Sequence, residues 1–165
     1  MVIERDILDI LETIPDPEMP ISILDLGLIE EIEINDSSVH VTVLPTFVGC
    51  IALPVIADEI KLKVGELEDV ETVEVQFIYD PPWSTDRITT KGKTDLATHG
   101  ITVPDGTTCG CTSHAIGVDL KISAIACPWC ESNETTLTSP FGPTRCRSIH
   151  FCNSCRQPFE RMKKV

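Results

Sequence analysis

Apolar residues recur at the spacing of one helical face in two parts of the chain. Near the amino end these positions are Ile3, Ile7, Ile10, Leu11 and Ile14. This period predicts an amphipathic helix over residues 2–14 that ends at Pro15. Residues 51–64 carry the same spacing, and their Pro54 is compatible only with a first helical turn. The pattern therefore predicts two helices.

Strict alternation of apolar and polar positions predicts three strands. Two alternating runs, at 32–34 and 39–43, flank the turn residues 35–38 and indicate a hairpin. A third run over 73–79 stops at Asp80, which two prolines follow. We predict an α+β fold, with a small mixed sheet covered by helices on one face.

The second half of the chain is less regular. Residues 84–117 have turn chemistry and no sustained period, apart from a short helix predicted around 91–99 and closed by Gly100. Alternating apolar positions over 118–126 then predict a strand leading to Cys127. We predict an α+β domain at 1–83, a linker with a short helix and a C-x-C motif at 84–117, and, from the Cys-x2-Cys pairs at 127–130 and 152–155, a zinc ribbon at 118–165.

Two Cys-x2-Cys pairs carry the strongest chemical signal in the chain. Cys127 and Cys130 form one pair, and Cys152 and Cys155 form the other. Each spacing lets two thiolates face one ion, so the pattern predicts a structural Zn²⁺ site with no open coordination position. The strands of the ribbon are predicted at 135–142 and 147–151, with the turn at Phe141 and Gly142.

A fifth cysteine in this segment, Cys146, has no place in a four-ligand site. If residues 146–152 are extended, the chain rise places Cys146 about 20 Å from Cys152. We therefore expect Cys146 to contribute to packing or to a partner surface. His150 is nearer to the site and stays open as a substitute ligand.

Three further sulfur positions could carry chemistry. Cys50 follows Gly49 and directly precedes the second predicted helix, whose partial positive charge should lower the pKa of its thiol. Cys50 is thus either a reactive thiol or transient iron ligand, or a small residue buried at a tight turn. Cys109, Cys111 and His114 form a C-x-C-x2-H group that suits a second metal site, although idle thiols are the alternative.

Composition limits the classes of protein that the chain could belong to. The amino end lacks the features of a signal peptide, and no apolar run reaches the length of a membrane span, so we expect a cytoplasmic protein with no membrane partner. In that compartment eight cysteines indicate metal or redox chemistry rather than disulfides.

Charge is divided unevenly along the chain. Residues 127–165 carry six Lys/Arg against three Asp/Glu, a balance of +3. The rest of the chain, with seven basic and 23 acidic residues, carries −16. An acidic body repels phosphate backbones, so nucleic acid is not expected to be a partner. Motifs of phosphate loops, serine hydrolases and zinc proteases are missing from the sequence.

Two stretches of the sequence resemble known families. Residues 16–34, "DPEMPISILDLGLIEEIEI", followed by "PTFVGC" at 45–50, resemble the MIP-family domain of iron–sulfur assembly factors. The segments "CPWC", "SPFGPTRC", "CNSC" and "PFERMKK" resemble the carboxy-terminal zinc ribbon of the PaaD family of phenylacetate-degradation proteins. The resemblance implies that the ribbon cysteines bind zinc, and it matches Cys50 to the cysteine of the assembly-factor domain.

The resemblance also implies a function. It points to an accessory component that matures or assembles the metal centres of the multicomponent phenylacetyl-CoA ring epoxidase and is not an enzyme by itself. The implied partners are subunits of that complex. The alternatives are a thiol-based redox protein, a carrier of a transient iron–sulfur cluster and a nucleic-acid-binding zinc ribbon, and the sequence leaves open whether the chain forms a homodimer.

Overall fold

The computed structural model describes residues 2–104 and 125–163. Its first 77 residues contain the two helices and three strands that the apolar pattern predicts. These elements are α1 (Glu4–Glu12), β1 (Ile29–Asn35), β2 (Ser38–Val43), α2 (Leu53–Val64) and β3 (Thr72–Phe77). The α1 helix ends three residues before Pro15, and Pro54 lies in the first turn of α2 as expected.

These three strands form one mixed sheet in the order β1-β2-β3. The β1–β2 pair is an antiparallel hairpin whose turn contains Asp36 at φ 54°, and β3 pairs with β2 in parallel. The parallel pairing requires a crossover, which α2 provides. Apolar side chains of α1, α2 and the sheet form a continuous buried core, so the predicted α+β class is confirmed.

The chain after β3 stays packed against this domain. It contains a 3₁₀ turn (Thr85–Arg87), the helix α3 (Thr90–Thr98) and the short strand β4 (Ile101–Thr102). Trp83 is 2% exposed, and its indole N–H donates to the Leu26 carbonyl at 3.1 Å. The predicted short helix is therefore present, and residues 84–104, which the sequence assigns to a linker, bury Ile88, Leu96 and Ile101.

The carboxy-terminal segment forms a second sheet in the order β4-β7-β6-β5. Its further strands are β5 (Thr135–Ser139), β6 (Arg147–Cys152) and β7 (Pro158–Met162). Strands β5 and β6 were predicted from sequence, whereas β7 and the parallel β4–β7 pairing were not. Most of the strand predicted at 118–126 lies outside the described residues, and Ile125 and Ala126 are not in a strand.

The two sheets share one apolar core. Cys146 and Met162 of the ribbon belong to the same buried cluster as the α1, α2 and β2 side chains. A separate small cluster contains Cys127 and Cys152 of the Cys-x2-Cys pairs together with Phe159. In the described ranges no helix has the length and apolar character needed to cross a bilayer.

Candidate metal centre and junction cavity

The four cysteines of the two Cys-x2-Cys pairs meet at one point. The Sγ atoms of Cys127 and Cys155 lie 3.7 Å apart, those of Cys130 and Cys152 lie 3.6 Å apart, and all four are within 4.8 Å of one another. A tetrahedral ion bound at about 2.3 Å separates its sulfur ligands by about 3.8 Å. The donor set and its spacing therefore fit a Zn²⁺ ion.

Both Cys-x2-Cys turns have the same backbone design. The first cysteine of each turn accepts a backbone N–H on its sulfur, from Trp129 at 3.4 Å in one turn and from Cys155 at 3.5 Å in the other. A left-handed residue then follows the second cysteine, Glu131 at φ 60° and Arg156 at φ 63°. The N–H groups of Cys155 and Ser154 lower the pKa of the Cys152 thiol to about 7, whereas burial raises the pKa of the Cys155 thiol to about 12. The backbone therefore favours the thiolate at Cys152, and Cys155 would lose its proton on metal binding.

Neither Cys146 nor His150 belongs to this group of ligand atoms. His150 is buried, its Nε2 lies 3.0 Å from the Ser148 hydroxyl, and its ring stacks on Phe159 with centroids 5.4 Å apart. Cys146 is 6% exposed, and its Sγ lies 3.1 Å from the Thr144 hydroxyl. The open alternative of His150 as a ligand therefore receives no geometric support.

Cys50 lies on the loop between β2 and α2 and faces the ribbon. It lines a cavity of about 220 Å³ at the junction of the two sheets. The α+β domain contributes Glu18, Phe47 and Cys50 to its wall, and the ribbon contributes Thr144, Arg145 and Cys146. The structure thus places the fifth cysteine of the ribbon segment beside the cavity that holds Cys50, a proximity that neither spacing nor periodicity reveals.

The expected low pKa of the Cys50 thiol is wrong. Burial raises the pKa, and the negative charges of Glu18, Asp16 and Cys146 raise it further. The N–H of Ala52, at the start of α2, donates to the sulfur and lowers the pKa, but this effect is the smaller one. A thiol in this environment is protonated at neutral pH, because desolvation and like charges disfavour the thiolate.

Cys109, Cys111 and His114 lie outside the described residues. The second metal site predicted on them stays a prediction, as do the domain boundaries at 83 and 117.

Asp25, in the turn before β1, holds the segment after β3 to the domain. It accepts hydrogen bonds from the Thr89 hydroxyl at 2.6 Å, from the Lys91 ammonium at 2.6 Å and from the Ser22 hydroxyl at 3.2 Å. Burial alone would raise its pKa, but the bonds from Lys91 and Thr89 outweigh burial and lower it. Asp25 is therefore a buried carboxylate with a structural role.

An α+β domain with a cysteine-bearing loop, followed by a four-cysteine ribbon, defines a two-part class of protein. Residues 4–76 match the family model described as an iron–sulfur cluster assembly protein, and residues 112–163 match the PaaD zinc beta ribbon domain. A putative 1,2-phenylacetyl-CoA epoxidase subunit of Escherichia coli is 33% identical over 162 residues, which cover 98% of this chain and 93% of that protein. The chain therefore belongs to the PaaD family.

Other relatives match only the first part. The Fe-S protein maturation auxiliary factor YitW of Bacillus subtilis is 33% identical over 95 residues, which cover 57% of this chain and 93% of that protein. The crystal structure of a DUF59 domain from Bacillus anthracis, 27% identical, superposes with a TM-score of 0.54 over 56% of this chain and 90% of that one. The α+β domain therefore has the fold of a self-contained family.

Proposed function

We propose that this chain is an accessory factor that matures the metal centres, including iron–sulfur centres, of a multicomponent phenylacetyl-CoA ring epoxidase. It does not itself oxygenate the substrate in this proposal. Its partners are the subunits of that complex, and its place of action is the cytoplasm.

The observation that carries the proposal is that both parts occur in one chain and that the match to the epoxidase relative extends over nearly all of it. The first part resembles iron–sulfur maturation factors, whereas the whole chain, ribbon included, resembles an epoxidase subunit. A maturation domain fused to a ribbon found in an epoxidase system supports a maturation role directed to one client complex. Cys50 supports the same role, because its thiol lines the cavity between the two parts and so lies beside the ribbon.

The ribbon itself is proposed to be a scaffold. Cys127, Cys130, Cys152 and Cys155 would hold Zn²⁺, and four protein ligands leave no position for substrate or water. When bound, the ion supplies folding free energy to a segment too short to bury a large core by itself. The ribbon residues then position β6 and β7 against the α+β domain.

Reconstitution of the epoxidase tests this function. The other components of the epoxidase are loaded anaerobically with iron and sulfide, with or without this chain, and the metal content and turnover on phenylacetyl-CoA are measured. We expect the chain to raise both, and we expect the chain alone to oxidise nothing.

The time of addition provides the control. A maturation factor is needed during metal loading, whereas a permanent subunit is needed during turnover, so the chain is also added only after loading. Full metal content and full turnover in its absence would refute the proposal. Restoration of turnover by late addition, with no change in metal content, would show a subunit of another kind.

A further inference from the structure

Two thiols from distant parts of the chain line the same cavity. Cys50 comes from the loop before α2, and Cys146 directly precedes β6, so they lie on opposite sides of the junction between the sheets. Cys50 is half-buried and within reach of solvent, whereas Cys146 is 6% exposed. The Cys50 thiol of the α+β domain and the Cys146 thiol of the ribbon therefore line one cavity, where a single ion could bind both.

A carboxylate completes the set of ligand types. The Oε2 atom of Glu18 lies 4.0 Å from the Cys50 sulfur, and Glu18 lines the same cavity. An ion bound to one sulfur at about 2.3 Å and one carboxylate oxygen at about 2.1 Å separates those atoms by about 3.6 Å. A small movement of the Glu18 side chain would therefore bring the pair to coordination distance.

We propose that Cys50, Cys146 and Glu18 form a second metal site, separate from the ribbon site, that takes a divalent ion such as Fe²⁺ and leaves one coordination position open. Two sulfurs and one carboxylate suit transition ions rather than Mg²⁺ or Ca²⁺. The open position would let a ligand from a client protein bind the same ion. The biological meaning of the site, transfer of iron to the client, rests on the proposed function.

With both thiols ionised, the acidic groups around the cavity outnumber the basic ones and favour a cation. Asp16, Glu18 and Cys50 on the α+β domain and Cys146 on the ribbon are acidic groups that repel one another in their ionised forms. Arg147 lies near Asp16 and Arg145 lines the cavity, so these two cations offset part of this charge. A divalent ion bound by both thiolates and Glu18 would offset much of the rest, and each thiol would release its proton to solvent on binding.

Binding requires the two sides of the junction to close. Among the described residues, the ribbon cysteines are the only group of three or more ligand atoms within 4.8 Å of one another, so the junction set is wider than that. The loop over residues 44–52, which carries Cys50, would move towards Cys146. We therefore expect metal binding to slow hydrogen exchange of the backbone amides in this loop.

Cobalt titration of the isolated, reduced protein tests the site. The ribbon is first loaded with Zn²⁺, and Co²⁺ is then added anaerobically while the zinc content is monitored. We expect one further equivalent of metal, with a sulfur-to-cobalt charge-transfer absorption, and we expect two sulfur scatterers in the cobalt X-ray absorption spectrum. The sulfur count needs no mutation, so it does not depend on whether a variant folds.

Substitutions assign the ligands. Cys50→Ser and Cys146→Ser should each remove the charge-transfer absorption or lower the sulfur count to one, and Glu18→Gln should weaken Co²⁺ binding at least tenfold. The double variant Cys109→Ser/Cys111→Ser should bind as the natural chain does. Retained zinc in every variant confirms that the ribbon is intact.

Three results would overturn the inference. They are the absence of a second equivalent, a cobalt site with fewer than two sulfurs in the natural chain, and a charge-transfer absorption and sulfur count that both Cys50→Ser and Cys146→Ser leave unchanged. Each can occur while the chain still matures the epoxidase in the reconstitution. Conversely, a chain that binds cobalt as described but does not affect the epoxidase would refute only the proposed function.

Discussion

Cysteine residues lie in two different environments in this protein. In the ribbon turns, one backbone N–H donates to the sulfur of Cys127 and another to that of Cys152, and the donors at Cys152 lower the pKa of its thiol. At the junction, burial and neighbouring acids keep Cys50 protonated. Cysteine chemistry is therefore set by the local backbone in one place and by tertiary packing in the other.

The ribbon ligands give a prediction at the residue scale. Cys127→Ser should reduce zinc from about one ion per chain to near zero, because the remaining three thiolates bind far more weakly, and the ribbon should unfold with it. Elemental analysis and the near-ultraviolet circular dichroism of Trp129 would measure both effects. The matched control is Cys146→Ser, in the same segment but outside the four-sulfur group, which should keep its zinc. Equal zinc loss in the two variants would contradict the assignment of ligands.

Sequence predicts the residues of the ribbon site better than those of the junction. The Cys-x2-Cys spacing describes a turn of four residues, so local chemistry suffices to identify it. Cys50 and Cys146 are about 100 residues apart, and only the packing of the ribbon on the domain brings them to one cavity. The helix start near Cys50 was visible in the sequence, but the burial of the thiol that outweighs it was not.

At the scale of elements, the turn between α3 and β4 connects the two sheets. Gly100 ends α3 at φ +76°, and the Gly100 carbonyl accepts the N–H of Glu160 in β7 at 2.8 Å. A side chain at this position would overlap the ring of Trp129, whose N–H donates to the Pro158 carbonyl at 3.2 Å. Because Gly100 has no side chain, the ribbon turn that carries Trp129 can pack against the carboxy-terminal end of α3.

Substitution of this glycine should be costly. Gly100→Ala combines a left-handed backbone with a clash against Trp129, and we expect it to lower the free energy of unfolding by about 2–4 kcal/mol. Chemical denaturation monitored by tryptophan fluorescence would measure the change.

Gly49→Ala separates the two causes of that cost. Gly49 has a similar φ of +79°, but no atom lies within 4 Å of the position of a new Cβ, so only the backbone strain of about 1 kcal/mol should remain. Equal losses in the two alanine variants would show that contact with Trp129 is unimportant.

The elements that sequence failed to predict share a physical reason. β7 has the sequence "PFERM", which lacks an alternating apolar run, and β4 has only two residues. Both strands exist because of their neighbours, since β7 pairs with β6 on one side and with β4 on the other. The helices α1 and α2 and the strands β1 to β3 were predictable because each carries its own apolar period.

At the scale of the whole molecule, Arg147 joins the ribbon to the α+β domain. Its guanidinium donates to the Glu18 carbonyl at 3.2 Å and to the Thr144 hydroxyl at 2.9 Å, and it forms an ion pair with Glu160 at 2.7 Å. The side chain is 8% exposed. A buried cation with partners in both parts should make their unfolding cooperative.

Loss of this cation should uncouple the two parts. Arg147→Ala leaves the Glu160 carboxylate and the Glu18 carbonyl without their partner, and we expect it to lower the free energy of unfolding by about 2–4 kcal/mol. In scanning calorimetry of the zinc-loaded protein, one transition should become two, because the metal still stabilises the ribbon.

Arg145→Ala is the matched control. Arg145 is exposed and contacts the Phe47 ring at 5.9 Å, so its removal should cost about 1 kcal/mol or less and leave a single transition. A single transition for Arg147→Ala as well would show that the shared apolar core alone couples the two parts.

The parallel pairing of β4 with β7 has a consequence for how the ribbon can be transferred between genes. Strand β4 lies at residues 101–102, between the segments that match the two family models, and yet it forms the edge of the ribbon sheet. A gene rearrangement that moved only the recognisable ribbon would leave this edge open, with unpaired backbone groups exposed to other chains. The unit that recombination can transfer intact is therefore longer than the motif by which the ribbon is recognised.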